Sequence, residues 1–116
     1  MMNPGRYNLA VYQGTTFDLK PVWKIGGVPV DLTNYTVDMQ VRYASDTVVI
    51  VELSTSNGNA SIDAAYGRIN LHLSATQTAA LPVGTYQYDL NLTNNTDGTV
   101  YKILQGVFAV NVSVTH

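Results

Sequence analysis

The sequence has no cysteine, one tryptophan and a single glutamate, Glu52, among its 116 residues. Without cysteine there can be no disulfide, no thiolate metal site and no Cys nucleophile. Charge is scarce as well. Asp, Glu, Lys and Arg make up 12% of the chain, about half of the roughly 25% usual in soluble domains. Six Lys and Arg stand against eight Asp and Glu, a formal net charge of −2. No basic surplus exists to neutralise a phosphate backbone, so nucleic acid is not an expected partner. No apolar run approaches the ~18 residues of a bilayer-spanning helix, so no membrane partner is expected either. The opening Met1-Met2-Asn3-Pro4-Gly5-Arg6 lacks the apolar stretch of a signal peptide. A hydrophobic content of 46% over this length suits one domain, residues 1–116, with a core of moderate size.

What the chain does have is strand-forming residues. Val and Thr supply 28 positions and Tyr another eight, and such β-branched and aromatic side chains suit a pleated, half-buried surface. Period-two alternation recurs throughout, whereas a helical period is rare. Tyr7, Leu9 and Val11 alternate with Asn8, Ala10 and Tyr12, a first strand that ends at Gln13-Gly14. Phe17, Leu19, Pro21 and Trp23 oppose Asp18, Lys20, Val22 and Lys24, and Pro21, which has no N–H to donate, places this strand at a sheet edge or a bulge. Gly26-Gly27 is a turn. Val37, Met39, Val41 and Tyr43 alternate with Asp38, Gln40 and Arg42; Ala44-Ser45-Asp46-Thr47 then turns the chain into Val48 to Leu53. Asn57-Gly58-Asn59 is another turn signal.

Ile69, Leu71 and Leu73 alternate with Arg68, Asn70 and His72. Ser74 and Gln77 have capping-box spacing, and Pro82 disfavours helix at Leu81, which predicts one short helical turn near residues 75–81. Tyr86, Tyr88, Leu90 and Leu92 form one face, followed by a turn at Asn94-Asn95-Thr96-Asp97-Gly98. In the last strand, Val100 to Val114, Tyr101 and Ile103 are out of phase with Phe108, Val110, Val112 and Val114, and Gly106 is the expected bulge. The expectation is an all-β, Ig-like antiparallel β-sandwich of seven or eight strands. Gly84-x-Tyr86-x-Tyr88 has the spacing of a tyrosine corner, with Tyr88 where a Cys normally sits; a plain pair of core aromatics reads equally well.

Little catalytic chemistry is visible. His72 lies on a polar strand face and His116 ends the chain, so the metal and cofactor expectation is none. The carboxylates Asp18, Asp31, Asp38, Asp46, Glu52, Asp63, Asp89 and Asp97 are scattered. Asp31 and Asp97 suit turns, and Asp18, Asp38 and Asp89 read as a solvated strand face. No nucleophile elbow, phosphate loop or dinucleotide fingerprint occurs, and a non-enzymatic protein is expected. The Asn-x-Ser/Thr triplets at Asn34, Asn59, Asn91, Asn94 and Asn111 follow from composition.

The surface is more informative. Tyr12 points away from the Leu9/Val11 stripe, Tyr66 falls in a turn, and Val48-Val49-Ile50-Val51 is apolar on both faces. Tyr is favoured at interfaces because its flat ring covers area at low entropic cost, and few Lys or Glu are present to keep a surface monomeric. Tyr12, Trp23, Tyr66, Val48 and Ile50 are therefore the candidate interface residues, in a protein expected to form homo-oligomers. Sheet-edge pairing is expected near the first strand and the long last strand.

Four blocks carry a family resemblance. Asn3-Pro4-Gly5-x-Tyr7-x-Leu9-x-Val11-Tyr12-Gln13-Gly14-x-Thr16-Phe17 resembles the opening of small virion proteins from tailed bacteriophages. Gly27-Val28-Pro29-Val30-Asp31-Leu32-Thr33-Asn34-Tyr35, with Met39-Gln40-Val41-Arg42, is similar to their next block. Leu73-Ser74-Ala75-x-Gln77-Thr78-Ala79-Ala80-Leu81-Pro82-x-Gly84-x-Tyr86-x-Tyr88-Asp89-Leu90 resembles the third, and Leu104-Gln105-Gly106-x-Phe108-x-Val110 the closing strand. A similar pattern occurs in the N-terminal domain of baseplate upper proteins, an Ig-like sandwich that anchors receptor-binding fibres. The resemblance implies a structural protein of the virion tail or baseplate, made in the host cytoplasm, whose partners are copies of itself and other virion proteins. Because the chain stops at His116 without coiled-coil or receptor-facing segments, the implied role is adaptor or anchor. Capsid decoration and a carbohydrate-binding module built around Tyr12, Trp23 or Tyr66 are the alternatives.

Overall fold

Alternation along the chain becomes two facing sheets in the computed structural model, which describes residues 5–43 and 48–112. In chain order, β1 (Gly5–Arg6) and β2 (Leu9–Tyr12) lead to β3 (Phe17–Leu19) and to a hairpin of β4 (Lys24–Ile25) and β5 (Val28–Pro29). Then come β6 (Tyr35–Arg42), β7 (Val49–Ser54), β8 (Ala60–Asp63), a 3-10 turn at Ala64–Tyr66 and β9 (Arg68–Leu73). Helix α1 (Ala75–Ala79), β10 (Gly84–Asn94) and β11 (Val100–Asn111) complete the order. The larger sheet runs β1-β11-β10-β6-β7, with β2 also on β11, and the smaller runs β3-β9-β8. The pairings are antiparallel except that β1 and β2 lie parallel to β11. The fold is an Ig-like β-sandwich.

The apolar phase of each strand faces the gap between the sheets. Val37, Met39 and Val41 of β6, Ile69, Leu71 and Leu73 of β9, and Tyr86, Tyr88, Leu90 and Leu92 of β10 are all buried in one continuous core. Each large aliphatic removed from water there contributes about 1.5–3 kcal/mol. Phe17 from the small sheet meets Phe108 from the large one edge-on, ring centroids 5.9 Å apart. Helix α1 begins at the capping box expected from its sequence: Ser74 Oγ accepts from the Gln77 N–H, and Gln77 Oε1 accepts from the Ser74 N–H. The helix runs a little over one turn before Pro82.

Two tyrosines on β10 fix the corners of the sandwich. Tyr86, 1% exposed, donates its hydroxyl to the Pro82 carbonyl at 2.7 Å, which is the tyrosine corner that the Gly84-x-Tyr86 spacing allows. Burial pushes its pKa up, so it remains a donor. Tyr88 occupies the position of the missing Cys and does something different. It pairs in register with Gly106 of β11, and its hydroxyl reaches across that glycine to the Tyr7 carbonyl at 2.5 Å. Burial raises its pKa to about 12. A Cβ on Gly106 would lie 2.4 Å from the Tyr7 oxygen, so only glycine lets the first strand cross this closely. Asn8 Oδ1 accepts from the Val107 N–H, holding the next rung.

The details differ from the sequence reading in three places. The strand beginning at Phe17 stops at Leu19 and resumes as β4 beyond Pro21, although Val22 still bridges Arg68 and the Ile69 N–H bonds the Pro21 carbonyl at 2.9 Å. The bulge in β11 sits at Ile103 and not at Gly106: Leu90 pairs with Leu104 while Asn91 pairs with Lys102, leaving Ile103 as the extra residue. Gly106 serves the Tyr7 crossing instead. Finally, β11 is covered over residues 104–111, by β10 on one side and β1 and β2 on the other, and among the described residues only its first four residues lack a strand on the second side. The turn expected at Ala44-Ser45-Asp46-Thr47, and the readings of Val114 and His116, fall outside the described residues.

The crossing makes a measurable prediction. Gly106→Ala is expected to cost about 1–3 kcal/mol, as overpacking does, with the loss concentrated on the first strand. Hydrogen exchange should accelerate at the Leu9 and Val11 amides more than at Met39 or Leu90. Equal acceleration everywhere, or none, would show that the crossing is not tight.

Candidate functional site

The outer face of the six-stranded sheet gathers charge that the sequence spreads over distant segments. Strand pairing aligns Arg6, Gln105, Asp89, Gln40 and Glu52 in one row from β1 to β7. A second row holds Lys102, Asn91, Asp38 and Ser54, and a third holds Val107, Gln87 and Arg42. Arg6, Arg42, Lys102, Asp38, Glu52 and Asp89 are six of the fourteen charged side chains in the protein. Gln40, Arg42, Gln87, Asp89, Lys102 and Gln105 line a shallow depression there.

Hydrogen bonds tie the face together. Gln40 Nε2 donates to Asp38 Oδ2 at 3.2 Å and to Glu52 Oε2 at 3.1 Å, and Arg42 Nη2 donates to Gln40 Oε1. Lys102 Nζ lies 3.5 Å from Asp89 Oδ2. Asp38 Oδ1 and Arg42 Nε are buried with no partner among the described residues. Partial burial, followed by Glu52 and Asp89 close by, raises the Asp38 pKa to about 6. Asp38 is thus more than the solvated strand residue its alternation suggests. Asp18 does lie in solvent, on the other sheet, where Asp18 Oδ1 meets His72 Nδ1 at 2.7 Å. Asp31 and Asp97 accept from Thr33 and Thr99 in turns, and these bonds lower both pKa values. Among the described residues no group of three or more His, Asp or Glu is arranged to hold a metal.

The free side of β7 is partly closed by a side chain. Asn57 Nδ2 donates to the Glu52 carbonyl at 2.8 Å, and Asn57 Oδ1 accepts from the Ser54 N–H at 3.0 Å. The amide thereby imitates a neighbouring strand over the second half of β7. In the first half the register shifts, with Val51 opposite Val41 and Val49 opposite Arg42, so Ile50 is a bulge residue. Caps and bulges of this kind blunt sheet edges against unwanted pairing.

The five candidate interface residues do not form one patch. Tyr12 is exposed at the end of β2. Val48 is exposed beside β7, and Ile50 is half-buried on it. These two strands bound the large sheet four strand spacings apart, about 19 Å. Tyr66 is exposed at the opposite end, with Arg68 stacked 5.5 Å from its ring. Trp23 is corrected outright: it is buried at 8% exposure, its ring 5.3 Å from Tyr101 and 6.3 Å from Tyr35. Its place follows from the Trp23 N–H bonding the Gly67 carbonyl and the Val30 N–H bonding the Trp23 carbonyl, which turn the ring inward over the core. Most exposed apolar residues instead lie at two ends, while Tyr7, Val48 and Val49 lie on the outer edges of the large sheet. Val22, Ile25, Val28 and Tyr66 lie at one end, and Tyr12, Tyr43, Val83 and Val112 at the other. Sequence reasoning missed the charged outer face, whose only signal was the polar phase Asp38, Gln40, Arg42; assembling it requires the strand order.

No family model matches the chain, and no curated protein matches it significantly.

Two outcomes test this description. Asn57→Ala removes both mimicked rungs and is expected to lower stability by about 1–2 kcal/mol, with concentration-dependent aggregation in light scattering; a destabilised variant that stays monodisperse would show that the cap is not an edge guard. For Asp38, the folded pKa of about 6 exceeds the ordinary 3.8, so the folded state binds more protons between those values. Its contribution is therefore full below about pH 4 and is lost as pH rises through about 6. Relative to wild type, Asp38→Asn should gain on the order of 1 kcal/mol at pH 7.5, after allowance for solvent screening, and the two should converge near pH 4 in urea melts.

Proposed function

We propose that the protein is a non-enzymatic structural component of a bacteriophage virion, an adaptor at the tail or baseplate that anchors fibres or joins subunits. The observation that carries this reading is the distribution of its exposed apolar side chains over two opposite ends of a body 42 Å in its longest dimension. Ile25, Val28 and Tyr66 at one end are 56%, 65% and 64% exposed, and Tyr12 and Val112 at the other are 52% and 57%. A body with exposed apolar side chains at both ends suits a piece that touches two neighbours, and weak contacts at each end gain strength when many copies are arrayed. The resemblance of its four sequence blocks to small virion proteins of tailed bacteriophages supports the same reading.

A carbohydrate-binding module finds less support, since Tyr12 and Tyr66 are at opposite ends and Trp23 is buried. Antibody-gold electron microscopy on particles from the source tests the proposal. Label at the tail end is the expected result. Label spread over the head would replace it with capsid decoration, and particles without label would overturn the virion reading altogether.

A further inference from the structure

The charged outer face of the large sheet has an order that a collection of solvated residues does not need. Across the strand order β1-β11-β10-β6-β7, the cations Arg6 and Lys102 sit on the β1/β11 side, while Asp38 and Glu52 sit on the β6/β7 side. Asp89 lies on the central strand beside Lys102, and Arg42 lies on β6. The face therefore carries three positive and three negative charges, with the signs partly separated. Two copies placed face to face about a two-fold axis along β10 keep each row and reverse it from side to side. Arg6 then faces Glu52 of the second copy, Gln105 faces Gln40 of the second copy, and Lys102 faces Asp38 of the second copy. An axis across the strands through the first row would instead set Arg6 on Arg6, Asp89 on Asp89 and Glu52 on Glu52, leaving Asp38 with Arg42 as its one pair of opposite charges.

We propose that the protein pairs with a second copy of itself through this face, by that two-fold. The inference deepens the assembly reading and rests on it, naming one of the partners. The pairing brings cations to the β6/β7 side, where Asp38 faces Glu52 and Asp89, and it covers the face that holds the two unpartnered buried atoms. The area is modest. Four strand spacings by about seven residues is roughly 20 × 25 Å per copy, near the lower limit of about 1,000 Å² total for a specific interface. The dimer is consequently weak, dependent on concentration, and sensitive to salt because its rim charges are solvated.

Sedimentation equilibrium of the full chain at low salt, over a concentration series, tests the pairing, with circular dichroism to confirm folding of each variant. Wild type is expected to dimerise and to weaken at least tenfold between about 0.05 and 0.5 M salt. Lys102→Glu should weaken association at least tenfold, and Lys102→Glu combined with Asp38→Lys should restore it. Should the Asp38 change disturb folding, Arg6→Glu rescued by Glu52→Arg repeats the exchange in the neighbouring row. A chain monomeric at every concentration, a dimer indifferent to Lys102→Glu, or folded exchange variants without rescue would each overturn the proposal. None of these would move gold label from a tail, so failure of the pairing and failure of the virion reading are separable.

Discussion

The row formed by Tyr88, Gly106 and Tyr7 decides more of this structure than its size suggests. Because Gly106 has no side chain, the first strand lies directly on the last one, and the Tyr88 hydroxyl reaches through the gap to hold it. That contact makes β1 and β2 the outer edge of the large sheet and covers β11 from Leu104 onward. It also sets the width of the charged outer face, whose first column is Arg6 on β1. A structural disulfide contributes about 2–4 kcal/mol by constraining the unfolded chain, whereas one hydrogen bond contributes about 1 kcal/mol. Tyr88 therefore does not replace a cross-sheet disulfide in strength. The sheets are joined by packed side chains such as Phe17 against Phe108, and Tyr88 specifies where the first strand goes.

The fold is readable in the sequence wherever burial follows period two. Val37, Met39 and Val41, Ile69, Leu71 and Leu73, and Tyr86 through Leu92 are all in the phase that the alternation assigns. The capping box at Ser74 and the tyrosine corner at Tyr86 are local, so their spacing is enough. The misreadings occur where a distant strand decides the outcome. Gly106 looks like a bulge from its own strand, but its bare Cα is required by Tyr7, which lies 99 residues earlier. Trp23 reads from the sequence as a candidate interface residue on an edge or bulged strand, yet it packs against Tyr35 and Tyr101. The charged face follows the same logic, since Arg6, Glu52, Asp89 and Lys102 become neighbours only when the strand order is known.

Scarce charge makes its placement informative. With so few ionic side chains, most of the surface is polar but neutral or apolar, and six charges are concentrated on one sheet face. The two ends of the sandwich carry most of the exposed apolar side chains, with Lys24 and Arg68 among them at one end. The second half of the free side of β7 is capped by Asn57 rather than by lysine, a guard that consumes no charge. The result is a molecule with surfaces of three kinds: a charge-ordered face, two ends with exposed apolar side chains and a partly capped edge. Such a division separates the contacts that can form with different neighbours, since a partner suited to an apolar end gains nothing on the charged face.

Like charges test how well that ordering works. Asp89 lies on β10, so a two-fold along that strand brings it toward its own copy, which by itself is unfavourable. Lys102, 3.5 Å away, offsets that repulsion in each copy, while Arg6 gains Glu52 in the first row and Lys102 gains Asp38 in the second, and the third row sets Arg42 against Val107. Exposed pairs of this kind contribute about 0.2–1 kcal/mol each, and removing charges from water takes some of that back. The balance favours register and orientation more than tight binding. A face of this design cannot hold two copies together alone at low concentration, but it can select how they stack once other contacts, such as those at the apolar ends, have brought them side by side.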